Sequence, residues 1–389
     1  MKKIVTLILI TLLDHSASAQ IWIPVGAGLN SQPTAITAKN TILAVASSQT
    51  KGKTRIYTIR AYVAPNWVTL PTIEADSSSY IRALYYYKGA LYIGGKFNSP
   101  NDIIGSKNVV RWRGGKYEAV PNFSSNMLNF SSVDDFSEFN GNLIISGNFK
   151  NTKLSTYGIA FYNGQELTNA PAQFSNGVVG RVLTSTVIDE NQILFGGVIS
   201  KITNASASNL ALYNKATGWT NIKNPKAIVP VKSATNGTST LLFGQSLGRE
   251  HLNFYNINKF DSLVPLDIGI SSITTIYDVV EVDNIIYASG IFEMEDNKDE
   301  QQVIAFNGTK WESIINGKVS GARLLGNFKE QLVCSGSFVS SSVINSNYIA
   351  LYKQNAGLVS GFVFFDKNKN CGFDFRDEAL SNMSIRVVA

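Results

Sequence analysis

The chain has 389 residues, a formal net charge of +6, 44% hydrophobic and 16% charged residues, two cysteines and two histidines. The positive charge is spread thinly, with no basic run interleaved with aromatics, so nucleic acid is not an expected partner. Two cysteines make no disulfide framework, and His251 is the only histidine after residue 19, which excludes histidine-clustered copper or zinc and a Ser-His-Asp triad built on any other histidine.

The chain opens with Lys2-Lys3, an apolar stretch from Ile4 to Leu13, and Ala17-Ser18-Ala19 before Gln20. This order of charged, apolar and small residues is that of a secretory signal peptide over residues 1–19, too short for a membrane span. Export to the cell exterior or surface is the expectation, and no later stretch is apolar enough to cross a bilayer.

An apolar run ending in glycine then recurs. It reads Leu91 to Phe97, Leu143 to Phe149, Ile193 to Ile199, Leu241 to Leu247, Ile285 to Phe292 and Leu332 to Phe338, with a worn copy at Thr41 to Ser47. Counted through Ala46, Gly95, Gly147, Gly197, Gln245, Gly290 and Gly336, the steps run from 45 to 52 residues. Seven copies at a period of about fifty mean a repeat architecture.

Each unit reads as four strands. In the second they are Tyr80 to Tyr87, Leu91 to Phe97, Asn108 to Arg113 and Lys116 to Val120, joined at the tight turns Lys88-Gly89 and Gly114-Gly115. Short apolar strands punctuated by Gly and Asn turns are successive hairpins, and four of them repeated radially make a β-propeller blade. The fourth strand carries an aromatic column, Trp67, Tyr117, Trp219, Phe260 and Trp311, expected to pack between sheets; the third unit departs, with Glu166 and Leu167 in its place. Cys334 lies in an apolar strand and is expected to be a small buried thiol.

The two ends of the repeat array fit each other. The last unit has no fourth strand after Tyr348 to Tyr352, whereas Ile21-Trp22-Ile23-Pro24 precedes the first complete unit and compares with Lys310-Trp311-Glu312-Ser313. The fold class is therefore all-β: a seven-bladed β-propeller over residues 20–357, closed by its N-terminal strand, which removes the open edge.

Alternation of strand direction puts the second-to-third and fourth-to-first connections on one face and the tight turns on the other. The first set is long, and long loops on a rigid scaffold are where binding tends to reside. The candidate ligand face comprises Asn98, Asn101, Asp102, Lys150, Lys153, Lys201, Asn204, Glu293, Glu295 and Asp296. Asp134-Asp135 and Glu138 enter the first strand of their blade and read as a polar strand edge.

After Gly357 the pattern changes. Val359 to Phe365 and Ser384 to Val388 read as strands flanking a polar loop, and the chain stops in mid-strand. Residues 358–389 are expected to be the start of a larger β-sandwich-like domain in a longer chain, with the ring itself monomeric. In the loop, Asp366, Asn368, Asn370, Asp374 and Asp377 match the oxygen spacing of an EF-hand-like calcium loop, with Cys371 standing where its turn glycine belongs.

The strand-Gly-Gly-x-Phe pattern, the hairpins Ile159-Ala160-Phe161-Tyr162-Asn163-Gly164 and Ile304-Ala305-Phe306-Asn307-Gly308, and the Trp strand together resemble kelch and galactose-oxidase-like propellers of secreted bacterial proteins, and fungal bud-site cortical marker propellers. The histidines that copper needs in galactose oxidases are missing, so that activity is not carried over. Residues 359–388 resemble the calcium-binding B-type repeats of serine-aspartate-family surface adhesins, in the cysteine-containing variant of Bacteroidetes proteins. That resemblance implies calcium at the five oxygen residues named above, stiffening a stalk. The reading is a secreted or surface-displayed binding or adhesion module, its partner a polysaccharide or a surface protein. The alternative is an extracellular polysaccharide-active enzyme, a glycosidase or lyase, with carboxylates on the same face.

Overall fold

The computed structural model describes residues 21–353 outside 40, 99, 124–126, 152–155, 169–177, 203–204, 207–208, 225–227, 247–251, 259–261, 296–298, 315–318, 320 and 339–345, together with Phe364, Phe365, Glu378 and Ala379. Residues 22–353 form one compact unit; in the other, Phe364–Phe365 pairs antiparallel with Glu378–Ala379.

The ring consists of seven antiparallel sheets, the blades of a β-propeller. From the centre outward, blade 1 has Pro33–Lys39, Ile42–Lys51, Thr54–Val63 and Asn66–Thr69; blade 2 has Tyr80–Tyr87, Ala90–Lys96, Val109–Arg113 and Lys116–Ala119; blade 3 has Met127–Phe139, Asn142–Asn151 and Thr156–Tyr162. Blade 4 has Val178–Val187, Gln192–Ile202, Leu210–Asn214 and Gly218–Asn221; blade 5 has Ile228–Thr235, Thr240–Ser246, Leu252–Asn258 and Ser262–Pro265; blade 6 has Ile270–Val282, Ile285–Met294, Gln301–Phe306 and Trp311–Ser313. Blade 7 takes Ala322–Phe328, Gln331–Gly336 and Ile349–Lys353 from the end of the ring and Ile21–Pro24 from its start, so the expected closure holds.

Each innermost strand packs on the next all the way round, from blade 1 through blade 7 and back to blade 1. The apolar residues correspondingly divide into seven clusters, one in each interface between neighbouring blades. This follows from period-two strands buried on both faces: every sheet contributes alternate residues to the cluster on its left and the cluster on its right.

The aromatic column works as expected, with a polar addition. Trp67 Nε1 donates to the Val25 carbonyl at 2.9 Å, the Tyr117 hydroxyl to Pro71 at 2.8 Å and Trp311 Nε1 to Leu266 at 3.0 Å. In each case the acceptor follows the outermost strand of the preceding blade, so one side chain both fills the apolar interface and ties two blades together. Leu167, at 2% exposure, takes this place in blade 3, where the fourth strand is reduced among the described residues to a bridge between Tyr162 and Leu167. Phe260 lies outside the described residues. Blade 1 adds a strand the sequence reading lacks, Ile73–Asp76, paired to the first half of Thr54–Val63. Cys334 is a fully buried free thiol, and burial pushes its pKa well above the ordinary thiol value.

Candidate functional site

The recurrent glycine explains how the centre of the ring is built. In blade 2, Ile81 faces Gly95 and Ala83 faces Gly94, which leaves Arg82 as an extra residue on the inner strand. The same bulge recurs at Thr34, Asp134, Leu183, Val231, Tyr277 and Arg323, one in each remaining blade. In blades 2 to 7 the residue opposite the start of the bulge is glycine. A Cβ there would overlap the carbonyl oxygen of the inner strand, that of Ser132 for Gly147 and that of Gly321 for Gly336. The column therefore passes through Ser47 and Gly244 where the sequence reading has Ala46 and Gln245. A bulge re-aims its side chain, and here it delivers seven residues to one level near the long-connection mouth of the channel.

Two of the bulged residues join a charge network. The Asp134 carboxylate, its side chain 0% exposed, receives Arg82 Nη1 at 3.2 Å, Arg181 Nε at 2.8 Å and Nη2 at 2.7 Å, and the Ser132 hydroxyl at 3.0 Å. One acid thus links blades 2, 3 and 4. One residue further along the inner strands, Lys232 Nζ lies 3.4 Å from Asp278, whose other oxygen accepts the Leu325 amide at 3.0 Å. Attraction to Asp278, then to Asp135, holds the Lys232 ammonium above its ordinary pKa against burial. Burial holds the Asp135 carboxyl above the usual carboxylate range, offset in part by Lys232 and by the amide and hydroxyl of Ser185 at 2.7 and 3.0 Å. Towards the tight turns, Lys39 Nζ bonds Glu138 at 2.6 Å and the Tyr85 hydroxyl at 3.0 Å; burial opposes the charge, but these two bonds keep the lysine pKa raised. Asp134, Asp135 and Glu138 are thus interior channel groups rather than a polar edge.

Concavities lined by described residues open at both mouths and between two blades. At the long-connection mouth a cavity of about 560 Å³ is lined by Thr34, Tyr277 and Arg323, the bulged residues of blades 1, 6 and 7, with Ser31, Gln32 and Ser48. The Arg323 guanidinium lies 5.0 Å from the Tyr277 ring centroid and, among the described residues, has no carboxylate partner. The tight-turn mouth holds about 730 Å³ among Lys39, Glu281, Asp283, Asn327 and Glu330. A groove of about 340 Å³ between blades 2 and 3 is lined by Lys88, Arg111 and Arg113; Arg111 is held by Glu118 at 3.0 Å.

The described loop residues nominated from sequence lie apart from these linings. Asn98 and Lys201 are exposed, as are Glu293 in the second strand of blade 6 and Glu295 just after it. Asn101 uses both polar atoms on blade 1, donating to Thr72 and accepting from Glu74 at 2.9 Å each. Asp102 ends the short 3-10 turn Pro100–Asp102, and Lys150 caps the Tyr157 ring at 5.3 Å. Lys153, Asn204, Asp296 and His251 lie outside the described residues, as do Asp366, Asn368, Asn370, Asp374 and Asp377. A signal for the bulged ring was present in the sequence: each such residue stands thirteen positions before the column residue, fourteen in blade 4.

No family model matches the chain, and no curated protein matches it. Among solved structures it is similar to YCF48 bound to D1 peptide, with 10% identity over 90% of this chain and 99% of that chain and a TM-score of 0.50. It is also similar to the β-propeller domain of the Trilobed protease from Pyrococcus furiosus, with 10% identity over 84% and 96% and a TM-score of 0.47. At 10% identity the likeness to the first of these shows the propeller fold.

Proposed function

We propose that the ring is a non-catalytic binding module of an exported, cell-exterior or surface protein, and that its ligand, a polysaccharide or a surface protein, enters the long-connection mouth of the channel. The observation that carries this reading is the mouth cavity, where Arg323 presents a charge that, among the described residues, no acid takes up. The channel carboxylates Asp134, Asp278 and Glu138 are each held by a cation of another blade, which leaves them poorly placed for proton transfer. The kelch-like resemblance and the signal-peptide pattern support an extracellular setting, and the oxygen spacing at Asp366, Asn368, Asn370, Asp374 and Asp377 supports a calcium-stiffened tail.

The rival, a polysaccharide-active enzyme, draws on Asp135, whose raised pKa is what a general acid needs. One screen separates the two: the full chain on a polysaccharide and surface-protein array, with retention and product release followed together. Retention without product is expected; product release abolished by Asp135→Asn would replace the binding reading with the enzyme. Calcium is tested by titrating the chain with the metal alone, where five-residue substitution of the loop should abolish a stoichiometric heat.

A further inference from the structure

The mouth cavity is chemically one-sided. Among the described residues that line it, all but Pro33 and Leu324 carry a hydrogen-bonding side chain, and the single charged one is Arg323. Among the described residues no carboxylate lines it, so none of them repels an entering anion. Arg323 stands out from its inner strand because it is the bulged residue of blade 7, and Tyr277, the bulged residue of blade 6, lies beneath its guanidinium. Cation–π contact holds the guanidinium over the ring before any ligand arrives, which lessens the ordering left to be done on binding.

We infer that this cavity binds a carboxylate-bearing sugar, a uronic acid unit of an acidic glycan. The inference rests on the binding-module reading and names its ligand class. A planar fork of N–H donors matches a carboxylate bidentately. Around it, the hydroxyls of Ser31, Ser48 and Tyr277 and the Gln32 amide can each donate and accept, which is what a ring of sugar hydroxyls requires. The Thr34 hydroxyl donates to the Ala46 carbonyl at 3.3 Å, so towards a ligand it serves as an acceptor. A volume of about 560 Å³ suits a disaccharide rather than a single ring. A peptide would draw on apolar anchors, and the lining carries few. A free phosphate or sulfate dianion would bring two charges to the one cation among the described lining residues, whereas a carboxylate brings one.

The test uses the full chain and three probes: a di-uronate, the methyl ester of the same disaccharide, and an acidic dipeptide of equal charge. Titration calorimetry is expected to show the di-uronate binding, the ester at least about tenfold weaker, and the dipeptide weaker than the di-uronate. Arg323→Gln should lower di-uronate affinity by about tenfold or more with an unchanged melting temperature, and Arg323→Lys should restore part of it. Equal binding of ester and acid, full affinity in Arg323→Gln, or preference for the dipeptide would each overturn the inference. A partner retained on the array with no dependence on Arg323 would sink the uronate inference and leave the binding module standing. Product release with Arg323-dependent uronate affinity would do the reverse.

Discussion

Gly147→Ala tests whether the recurrent glycine builds the channel. The added Cβ would overlap the Ser132 carbonyl oxygen and approach Val133 Cα to 3.0 Å, all of it backbone that cannot swing aside. Restoring an ordinary carbon–oxygen contact of about 3.3 Å requires the inner strand to retreat by about 1 Å. Asp134 follows directly in that strand, and a retreat of this size lengthens its 2.7 and 2.8 Å bonds to Arg181 beyond hydrogen-bond range. Overpacking costs about 1–3 kcal/mol. Loss of the network adds about 1 kcal/mol once discounted for the two arginines, which are 51% and 35% exposed. The expected loss is about 2–4 kcal/mol in urea unfolding. Gly141→Ala is the control: its φ is +70° but its Cβ meets nothing within 4 Å, so it should cost only about 1–2 kcal/mol. The reasoning also predicts non-additivity, because Asp134→Ala should cost less in the Gly147→Ala background. Equal losses at positions 147 and 141, or strict additivity with Asp134→Ala, would refute it.

Asp135 gives a pH signature. Its folded pKa is raised by burial, so the native state holds its proton longer than the unfolded chain, and stability falls as pH rises from the ordinary carboxylate range, about 4, through the elevated value. Asp135→Asn, which keeps an acceptor for Ser185, should therefore melt higher than wild type at neutral pH and match it below about pH 4; a pH-independent difference contradicts this. Trp311→Phe keeps the stacking on Phe254 but loses the bond to Leu266, and should cost about 1–2 kcal/mol in thermal melting; an unchanged melt would show the bond to be dispensable. Trp22, 5% exposed and 4.9 Å from the Tyr352 ring, holds the closing strand. Trp22→Ala should cost about 3–5 kcal/mol and produce self-association through the freed edge of Ile349–Lys353, visible by light scattering. A monomeric variant of wild-type stability would contradict that role.

The architecture was legible because its determinants are local. Turns such as Asn140-Gly141 and Asp283-Asn284 place consecutive residues at positive φ, which reverses a hairpin wherever it stands. The closure was legible because each end of the array lacked what the other carried. The site was not, because it depends on register. A one-residue bulge changes which side chain enters the channel, and alternation alone gives no sign of it. Asp134 reads as a strand-edge acid until Arg82 and Arg181, each about one repeat away, are brought to the same level. Arg323 and Tyr277 likewise stand in ordinary apolar strands, and only the column spacing ties them to Thr34. Long loops drew attention instead, yet Asn101 spends its polar atoms on holding blade 1.

Hydrogen exchange on the full chain, with and without the partner retained on the array, bears most directly on where the ring binds. Protection is expected in peptides covering Ser31 to Thr34, Tyr277 and Arg323, with Asp283-Asn284 and Lys329-Glu330 at the opposite mouth unchanged. Protection confined to that opposite mouth, or to the outer connections at Asn98 and Glu295, would contradict the account.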